Sequence, residues 1–308
     1  MDATALDVAA HAALQQQVFG EVLEENDIPL ERLGPAVFGW KLTPPEGPAR
    51  IALVERDGAY LSSCSAFPLV LARGDERVRA WHLCDAATVA EARGQGLFGR
   101  VMDALIGGVP PEDWVFAFPN GQSRGAFERR AFTPKRVPLW FRPARGRARS
   151  SERVTAVDAF GAEHDALAER LAAEQGLCAL RSAAYLGWRY GAHPYFDYQC
   201  LELRRGGQLD GLLVLNRMEA RGRTSLWVME LLGVDAEARK ELSLTARALG
   251  KAQGCDALIA ASSAKLPGAL RVPGCFLPKQ HVLMVRGAGD ADRPPGAWEV
   301  QTGDWDTF

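Results

Sequence analysis

The feature that most restricts the fold of this chain of 308 residues is an internal repeat. Phe38-Gly-Trp-Lys-Leu42 resembles Leu186-Gly-Trp-Arg-Tyr190, with the two tryptophans 148 positions apart. Phe132-x-Pro-Lys-x-x-x-Leu-x-x-Arg142 recurs as Phe276-x-Pro-Lys-x-x-x-Leu-x-x-Arg286 at an offset of 144. Short matches that keep their order and nearly keep their spacing predict two copies of one fold.

Length and composition allow two such copies, each with a core of its own. Hydrophobic residues make up 47% of the chain and charged residues 24%, which is ordinary for a soluble protein. The net charge of −2 argues against a nucleic-acid partner. No run reaches the roughly 18 apolar residues of a membrane span, and the start of the chain lacks the basic region of a signal peptide. The six cysteines are scattered without a C-x-x-C pair, so we expect no metal site and a cytoplasmic location.

Strands and helices are predicted to alternate along the first copy. A helix is expected from Thr4 to about Glu25, and apolar stretches predict strands at 51–54, 59–66, 68–72, 78–84 and 114–118. Residues 132–142 predict a final strand. The result is a mixed α/β sheet, with domains at 1–145 and 152–308 and a linker at 146–151 rich in arginine, glycine and serine.

A glycine turn leads from a strand into an amphipathic helix within residues 86–105. Gly94 and Gly96 allow a tight turn and a close approach by a ligand. The first turn of a helix carries unpaired N–H groups and partial positive charge, so the stretch predicts a phosphate site. At the corresponding helix of the second copy, Asp235 and Glu237 would repel a pyrophosphate, so only the first copy is expected to bind one.

Arg93-Gly-Gln-Gly-Leu-Phe98 resembles the acyl-CoA loop of the GNAT (GCN5-related N-acetyltransferase) superfamily, Arg/Gln-x-x-Gly-x-Gly/Ala. Arg93 and Gly96 match that pattern, and Phe98 replaces its last small residue. Pro119-Asn-x-x-Ser123 also matches, because many relatives place pantetheine contacts after the fifth strand. The whole chain resembles a tandem-GNAT protein, in which a CoA-binding N-terminal copy precedes a degenerate C-terminal copy.

That resemblance implies a site for acetyl-CoA or another acyl-CoA as co-substrate, without a metal. The pantetheine arm is expected in a wedge between strand 83–89 and strand 114–118. The expected donor contacts are Thr88, Val89, Arg93, Gly94, Gln95, Gly96, Leu97, Phe98, Asn120 and Ser123.

The reaction implied by the resemblance is direct attack of an amine on the acyl thioester. An alkylammonium with a pKa near 10.4 has no free lone pair, so a proton must be removed first. His82 and Asp85 are the candidate base and amine ligand, although each also fits a structural role. Their odd spacing predicts that they point to opposite faces of the strand. The tyrosine that many relatives use as general acid is missing after the fifth strand. The alternatives are that the thiolate leaves unassisted or that Ser123 or water protonates it.

Candidate substrate residues lie in the second copy and at the C-terminus. Trp188, Arg189 and Tyr190 form its densest aromatic and polar cluster together with His193-Pro-Tyr195, with a substrate wall and simple packing as the two interpretations. The end of the chain carries two tryptophans and a phenylalanine, so we expect it to be ordered. Asp304, Asp306 or the terminal carboxylate are then candidate amine ligands, with simple docking as the alternative.

The function expected from these features is an acyl-CoA-dependent N-acyltransferase. It would move an acetyl or other short acyl group to a small-molecule primary amine, with an amino sugar as one acceptor class. Two alternatives stay open. A non-catalytic acyl-CoA-binding or scaffold protein is favoured by the missing tyrosine, and an aminoacyl-transfer relative is disfavoured by the net charge of −2.

Overall fold

The structure, a computed structural model, describes residues 5–26, 28–147, 149–174, 176–220, 222–273, 281–287 and 298–305. The first half contains α1 (Ala5–Glu24), α2 (Pro35–Lys41), β1 (Arg50–Arg56), β2 (Ala59–Arg73), β3 (Glu76–Thr88), α3 (Leu97–Gly107), β4 (Trp114–Ala117), α4 (Arg124–Glu128), β5 (Thr133–Arg136) and β6 (Leu139–Pro143). The second half contains β7 (Val154–Ala156), α5 (Ala162–Glu174), β8 (Leu177–Ala179), α6 (Ala183–Leu186), β9 (Gln199–Arg205), β10 (Gln208–Ala220), β11 (Arg223–Gly233), α7 (Ala236–Ala252), β12 (Ala257–Ala261), β13 (Leu270–Arg271), β14 (Val282–Arg286) and β15 (Trp298–Glu299).

These strands form two mixed sheets, which confirms the predicted α/β fold class. The first sheet has the order β15-β8-β2-β3-β4-β14-β5, and β1 pairs with β2. The second sheet has the order β13-β6-β12-β11-β10-β9-β7. Each sheet has a parallel pair at its centre, β3 with β4 and β11 with β12, with antiparallel pairs on both sides of it. The first sheet has a second parallel pair at its edge, β15 with β8.

The predicted final strand at 132–142 is wrong as a single element. It divides at Val137 and Pro138 into β5, which stays in the first sheet, and β6, which pairs with β12 in the second sheet. Proline has no N–H to give to a ladder, and here it marks the crossing point. In return β14, from the end of the chain, lies between β4 and β5 in the first sheet. The second sheet therefore contains one strand of the first half, β6, and the first sheet contains three strands of the second half, β8, β14 and β15.

The two strands predicted at 59–66 and 68–72 are one strand, β2. Pro68 lies inside it, opposite Trp81 of β3. On the other side of β2, the pairing with β1 extends only to Ala66 and the pairing with β8 starts only at Leu71. Pro68 therefore needs no ladder hydrogen bond on that side.

The two tryptophans of the sequence repeat contact each other where the halves meet. The rings of Trp40 and Trp188 stack with centroids 5.2 Å apart. The indole N–H of Trp40 donates to the backbone oxygen of Trp188 at 2.6 Å, and the indole N–H of Trp188 donates to the backbone oxygen of Trp40 at 2.9 Å. Such reciprocity is typical of surfaces related by a two-fold axis.

A large apolar core lies around this contact and draws on both halves. It includes Phe38 and Phe116 from the first half and Trp298 and Trp305 from the C-terminal segment, all buried. The predicted order of that segment is confirmed through Trp305. No helix in the described ranges has the length and apolar character needed to cross a membrane.

Candidate functional site

The glycine turn lies between the end of β3 and the start of α3. Gly94 and Gly96 have φ values of +79° and +74°, a backbone region that side chains with a Cβ rarely adopt. Gly96 is the N-cap of α3, no side chain caps this end, and the first turn contains no acidic residue. The N–H groups at the start of this 11-residue helix are therefore available to an anion.

A cavity of about 540 Å³, here called the loop cavity, lies against this turn. Eight of the expected donor-contact residues line it: Thr88, Arg93, Gly94, Gly96, Leu97, Phe98, Asn120 and Ser123. Two others do not. The side chain of Val89 is buried in a cluster behind the turn, and Gln95 donates to the backbone oxygen of Glu91 at 3.1 Å.

Sequence reasoning missed two arginines in the wall of the loop cavity, Arg129 and Arg130. Arg130 is held by Asp103, at 2.6 and 2.9 Å, and by the backbone oxygen of Gly99 at 2.9 Å. Arg129 makes no ion pair with any described residue, so its charge is available to an anion in the cavity. The adjacent arginines at the end of α4 were visible in the sequence, but only the packing of α4 beside α3 aims them at the turn.

The predicted wedge lies where β3 and β4 part. Their ladder ends at Leu83 opposite Ala117, and β3 continues without β4 to Thr88. A second cavity of about 440 Å³, here called the acceptor cavity, lies at this point beneath α1 and α2. The two cavities share four wall residues: Phe19, Ala86, Asn120 and Ser123.

Ser123 lies at the junction of the two cavities, where it lines both, and it is positioned by a turn that starts at Asn120. The Asn120 side-chain oxygen accepts the backbone N–H groups of Gln122 and Ser123, both at 3.0 Å. It also accepts the Ser123 hydroxyl at 3.1 Å. The Ser123 side chain does not cap α4, although Ser123 is the N-cap residue of that helix. The hydroxyl instead belongs to a residue that lines both cavities.

Asp85 lies in the wall of the acceptor cavity and is an ion-pair partner. Its carboxylate is 2.7 Å from Nζ of Lys41 and accepts the Ser65 hydroxyl at 2.9 Å. Burial alone would raise the pKa of Asp85, but the charge of Lys41, with His11 and these hydrogen bonds, lowers it to about 2. An ionised carboxylate with so low a pKa is a poor proton acceptor at neutral pH.

His82 does not line either cavity. It is 1% exposed and stacks on Phe116 with ring centroids 4.5 Å apart, in the apolar core between the sheets. The expectation that His82 and Asp85 face opposite sides is wrong. Asp85 has a φ of +51° at an irregularity in the pairing of β2 with β3, and its side chain bonds to Ser65, which pairs with Cys84 on the face of His82. The bulge cancels the alternation on which the expectation rested.

The three candidate substrate residues of the second half lie outside both cavities. Trp188 stacks on Trp40, and the buried Arg189 donates to the backbone oxygens of Gly303 and Trp305, at 3.2 and 2.5 Å. The hydroxyl of Tyr190 donates to Glu230 at 2.5 Å. These contacts hold the halves and the C-terminal segment together.

Asp304 is buried in the same interior region, with its carboxylate 2.9 Å from the Arg181 guanidinium. It also accepts the backbone N–H of Gln301 at 2.7 Å. Asp306 and the terminal carboxylate lie outside the described residues. Asp304 therefore packs in the interior and does not reach either cavity.

Two described residues of the second half line the acceptor cavity, Phe196 and His193. His193 is the polar one of the two. Its Nδ1 accepts the backbone N–H groups of Tyr195 and Phe196, at 3.1 and 3.0 Å. Burial, together with the charges of Arg189, Lys41 and Arg32, lowers the pKa of His193 to about 3. The ring is neutral, and its proton lies on Nε2 because Nδ1 is already an acceptor. The sequence placed His193 in the aromatic cluster but not in this cavity.

The comparisons with known proteins agree with this architecture. The sequence matches no protein-family model and no curated protein. Among solved structures, the chain is similar to a GCN5-related N-acetyltransferase from Anabaena variabilis, with 13% identity and a TM-score of 0.63 over 94% of this chain and 72% of that one. It is also similar to a GCN5-related N-acetyltransferase from Kribbella flavida, with 16% identity and a TM-score of 0.56 over 93% and 70%. The chain therefore has the GNAT fold.

Proposed function

We propose that this protein is an acyl-CoA-dependent N-acyltransferase whose donor and acceptor meet at Ser123. The observation that carries the proposal is that the two cavities are adjacent and share wall residues. One begins at an uncapped helix N-terminus with two left-handed glycines, the other opens between parting parallel strands, and both are lined by Asn120 and Ser123. A cofactor with phosphates at one end and an acyl thioester at the other fits that path.

Different residues of the site would bind different parts of such a donor. The backbone N–H groups at 94–98 would take the pyrophosphate, with Arg93 and Arg129 supplying positive charge. Between β3 and β4 the unpaired edges left beyond Leu83 and Ala117 would bind the amides of the pantetheine arm. A bound acyl-CoA supplies the activated acyl group for transfer.

Ser123 is the candidate acid in this scheme. When the amine nitrogen forms its bond to the acyl carbon, the carbon–sulfur bond breaks and the sulfur needs a proton. The Ser123 hydroxyl lies at the junction and would donate that proton, taking back the one that the nitrogen loses. The hydroxyl donates to the Asn120 side-chain oxygen at 3.1 Å and would rotate from there toward the sulfur for the transfer.

We further propose that the chain is a pair of GNAT-like copies in which only the first binds the donor. The reciprocal tryptophan pair and the exchange of β6 and β14 support the pairing. The N-terminus of α7 supports the loss of the second site, because Asp235 caps it by accepting the Ala238 N–H at 2.7 Å. A small amine as partner and the cytoplasm as compartment remain predictions.

The test is calorimetric titration of acetyl-CoA into the wild type, Gly96→Glu and Gly58→Glu. Gly58 is the matched control, since its φ of +79° resembles that of Gly96 and it lies in the β1–β2 turn, in the wall of neither cavity. A carboxylate at position 96 would face the phosphates, so we expect at least about a hundredfold weaker binding there and an unchanged affinity at position 58. Equal affinities in all three proteins would refute the phosphate site.

Catalysis is tested separately from binding. Acetyl-CoA that binds but is never consumed, against a broad panel of amines, would favour the alternative of a non-catalytic acyl-CoA-binding protein. In that case there would be no acyl-transfer rate for Ser123→Ala to lower. For an acyltransferase, the same variant is expected to lower kcat about a hundredfold or more, the range of a positioned proton donor.

A further inference from the structure

The walls of the acceptor cavity are mostly hydrocarbon and aromatic. They come from α1, the segment before α2, α2 itself, β3, β4 and the turn after it, α4, and the loop that follows residue 191. The larger apolar side chains in them are Phe19, Val22, Leu23, Ile28, Leu33, Val37, Phe38, Trp40, Leu83, Phe118, Phe127 and Phe196. Such a surface leaves the hydroxyl groups of a sugar without hydrogen-bond partners, which is costly in a closed site.

The polar side chains in these walls are largely engaged by the protein itself. Lys41 and Asp85 bond to each other, at 2.7 Å. The Asn120 side-chain oxygen accepts two backbone N–H groups and the Ser123 hydroxyl, and Nδ1 of His193 accepts two more N–H groups. The cavity therefore offers a ligand much apolar contact and few hydrogen bonds.

The charges around the acceptor cavity do not favour a cation. Asp85 is the one carboxylate among the described wall residues, and Lys41 already neutralises it. His193 is kept neutral partly by the surrounding positive charges. A protonated amine would find no unpaired anion here.

Aromatic faces are the other surface that holds ammonium groups, and here the protein's own cations cover several of them. The Arg32 guanidinium lies 5.0 Å from the ring centroid of Phe196, and Nζ of Lys41 lies 5.5 Å from that of Phe38. The Arg189 guanidinium lies 5.7 Å from a ring of Trp40. The remaining aromatic edges and faces suit an uncharged ring better than a cation.

We infer that the acceptor is an apolar aromatic amine whose nitrogen enters the cavity uncharged, with the amino group attached directly to the ring. This rests on the proposed function. Conjugation with the ring makes such a nitrogen weakly basic, so it is already neutral at physiological pH and needs no general base. That property agrees with a cavity in which Asp85 is paired and Nδ1 of His193 is engaged. The amino sugar considered from the sequence does not fit these walls.

The experiment measures kcat/KM with acetyl-CoA for p-toluidine, benzylamine and glucosamine. Benzylamine has a similar ring but a charged nitrogen, and glucosamine is polar. We expect p-toluidine to exceed glucosamine by at least about a hundredfold, with benzylamine between them, because unpaired polar groups and unpaired charge both oppose binding. Equal or better turnover of glucosamine would overturn the inference.

Failure of the inference is distinguishable from failure of the proposed function. If acetyl-CoA does not bind in the calorimeter, the proposed function falls and the inference falls with it. If acetyl-CoA binds and is transferred to glucosamine or another polar amine but not to p-toluidine, only the inference falls. Binding of acetyl-CoA with no transfer to any of the three amines also overturns it.

Variants in the wall of the acceptor cavity test whether the amine binds there. Phe196→Ala removes a wall ring, and Phe141→Ala removes a half-exposed ring on the second sheet as the control. The KM for p-toluidine is expected to rise about tenfold in Phe196→Ala and to stay unchanged in Phe141→Ala, with the KM for acetyl-CoA unchanged in both. If Phe196→Ala instead shifts the preference toward longer acyl-CoA donors and leaves the amine KM alone, the cavity holds the acyl chain and the inference is wrong.

Val22→Asp is a second variant that does not disturb the core, because Val22 is 55% exposed while it lines the cavity. It supplies an unpaired carboxylate, which should favour the charged nitrogen of benzylamine. The ratio of benzylamine to p-toluidine turnover is therefore expected to rise severalfold. An unchanged ratio would show that charge plays no part in acceptor selection.

Discussion

The two sheets have matching spaces beside their central parallel pair, and only one of these spaces is open. Beyond Leu83 and Ala117 the first sheet opens into the acceptor and loop cavities. In the second sheet the β11–β12 ladder ends at Trp227 opposite Ile259, and the turn at Thr302–Asp304 fills the space. The hydroxyl of Thr302 accepts the backbone N–H of Ala261, at the end of β12, at 3.0 Å. The same strand geometry thus leaves an open cavity in one half and holds the chain's own C-terminal segment in the other.

The occupied space is closely fitted. Gly303 lies where a Cβ would overlap the hydroxyl of Tyr190 and the carboxylate of Glu230. Arg181 joins Glu230 and Asp304, both at 2.9 Å, and these three side chains are 5%, 0% and 3% exposed. The open space has a related pair, Lys41 with Asp85, at the cavity wall. The fold therefore forms a wedge beside each central parallel pair, and whether a wedge can bind a ligand depends on whether a segment of the chain already fills it.

The largest effect is expected from removing the cation of the filled space. Arg181→Met leaves Glu230 and Asp304 buried without a positive partner, which costs on the order of 3–5 kcal/mol of unfolding free energy. Lys41→Met is the matched change in the open space, and a loss of about 1–3 kcal/mol is expected there because Asp85 keeps the Ser65 hydroxyl and borders a cavity. Urea unfolding measures both. Equal losses would mean that the openness of the space makes no difference to its ion pair.

The two carboxylates should respond to pH in opposite directions. The folded pKa of Asp85 is lowered from 3.8 to about 2, so its stabilisation is present above the ordinary value and is lost as the pH falls toward 2. That loss is about 2 kcal/mol. Burial raises the pKa of Glu230 despite Arg181, so its contribution is greatest below its ordinary value of 4.5 and declines as the pH rises through the raised value.

Unfolding free energies at several pH values, for Asp85→Asn and Glu230→Gln beside the wild type, measure these contributions. The advantage of the wild type over Asp85→Asn should shrink on acidification, and its advantage over Glu230→Gln should grow. The same trend for both variants would contradict the opposite pKa shifts of the two carboxyl groups, lowered for Asp85 and raised for Glu230.

The smallest effect concerns the two helix N-termini. Asp235→Ala removes the cap of α7 and is expected to lower the unfolding free energy by about 1 kcal/mol. The affinity for acetyl-CoA should not change, because the α3 end, which has no cap to lose, is the one that faces the loop cavity. A large change in acetyl-CoA affinity would mean that the donor binds at the N-terminus of α7 in the second half and not at that of α3.

Local patterns predicted much of this molecule because they depend on residues close in sequence. The helix from about residue 4 to 25 is confirmed as Ala5–Glu24, and the strand at 114–118 as Trp114–Ala117. The glycine turn is present with the left-handed geometry that the sequence required. The ordered C-terminal segment followed from its aromatic content alone.

Other features depend on contacts that no local pattern records. The bulge at Asp85 moved that carboxylate to the face of His82, against strand alternation. His193 and Arg129 reach the cavities only through the packing of their elements. Lys41, which determines the charge state of Asp85, had no role in the sequence analysis because it is far from Asp85 along the chain.

The sequence by itself determined the mixed α/β class, the repeat and the glycine turn. It also determined that no side chain caps the N-terminus of α3. Each of these is a property of residue types at short spacing. Only the tertiary structure decided which strand completes which sheet, since β6 and β14 have equivalent sequences and either sheet offers an edge to either of them. It also decided that Thr302–Asp304 fills one wedge and leaves the other open. The physical reason is that a wedge needs an occupant of matching shape and charge, and Arg181 with Glu230 binds the C-terminal turn whereas the apolar walls beside Lys41 and Asp85 leave a cavity.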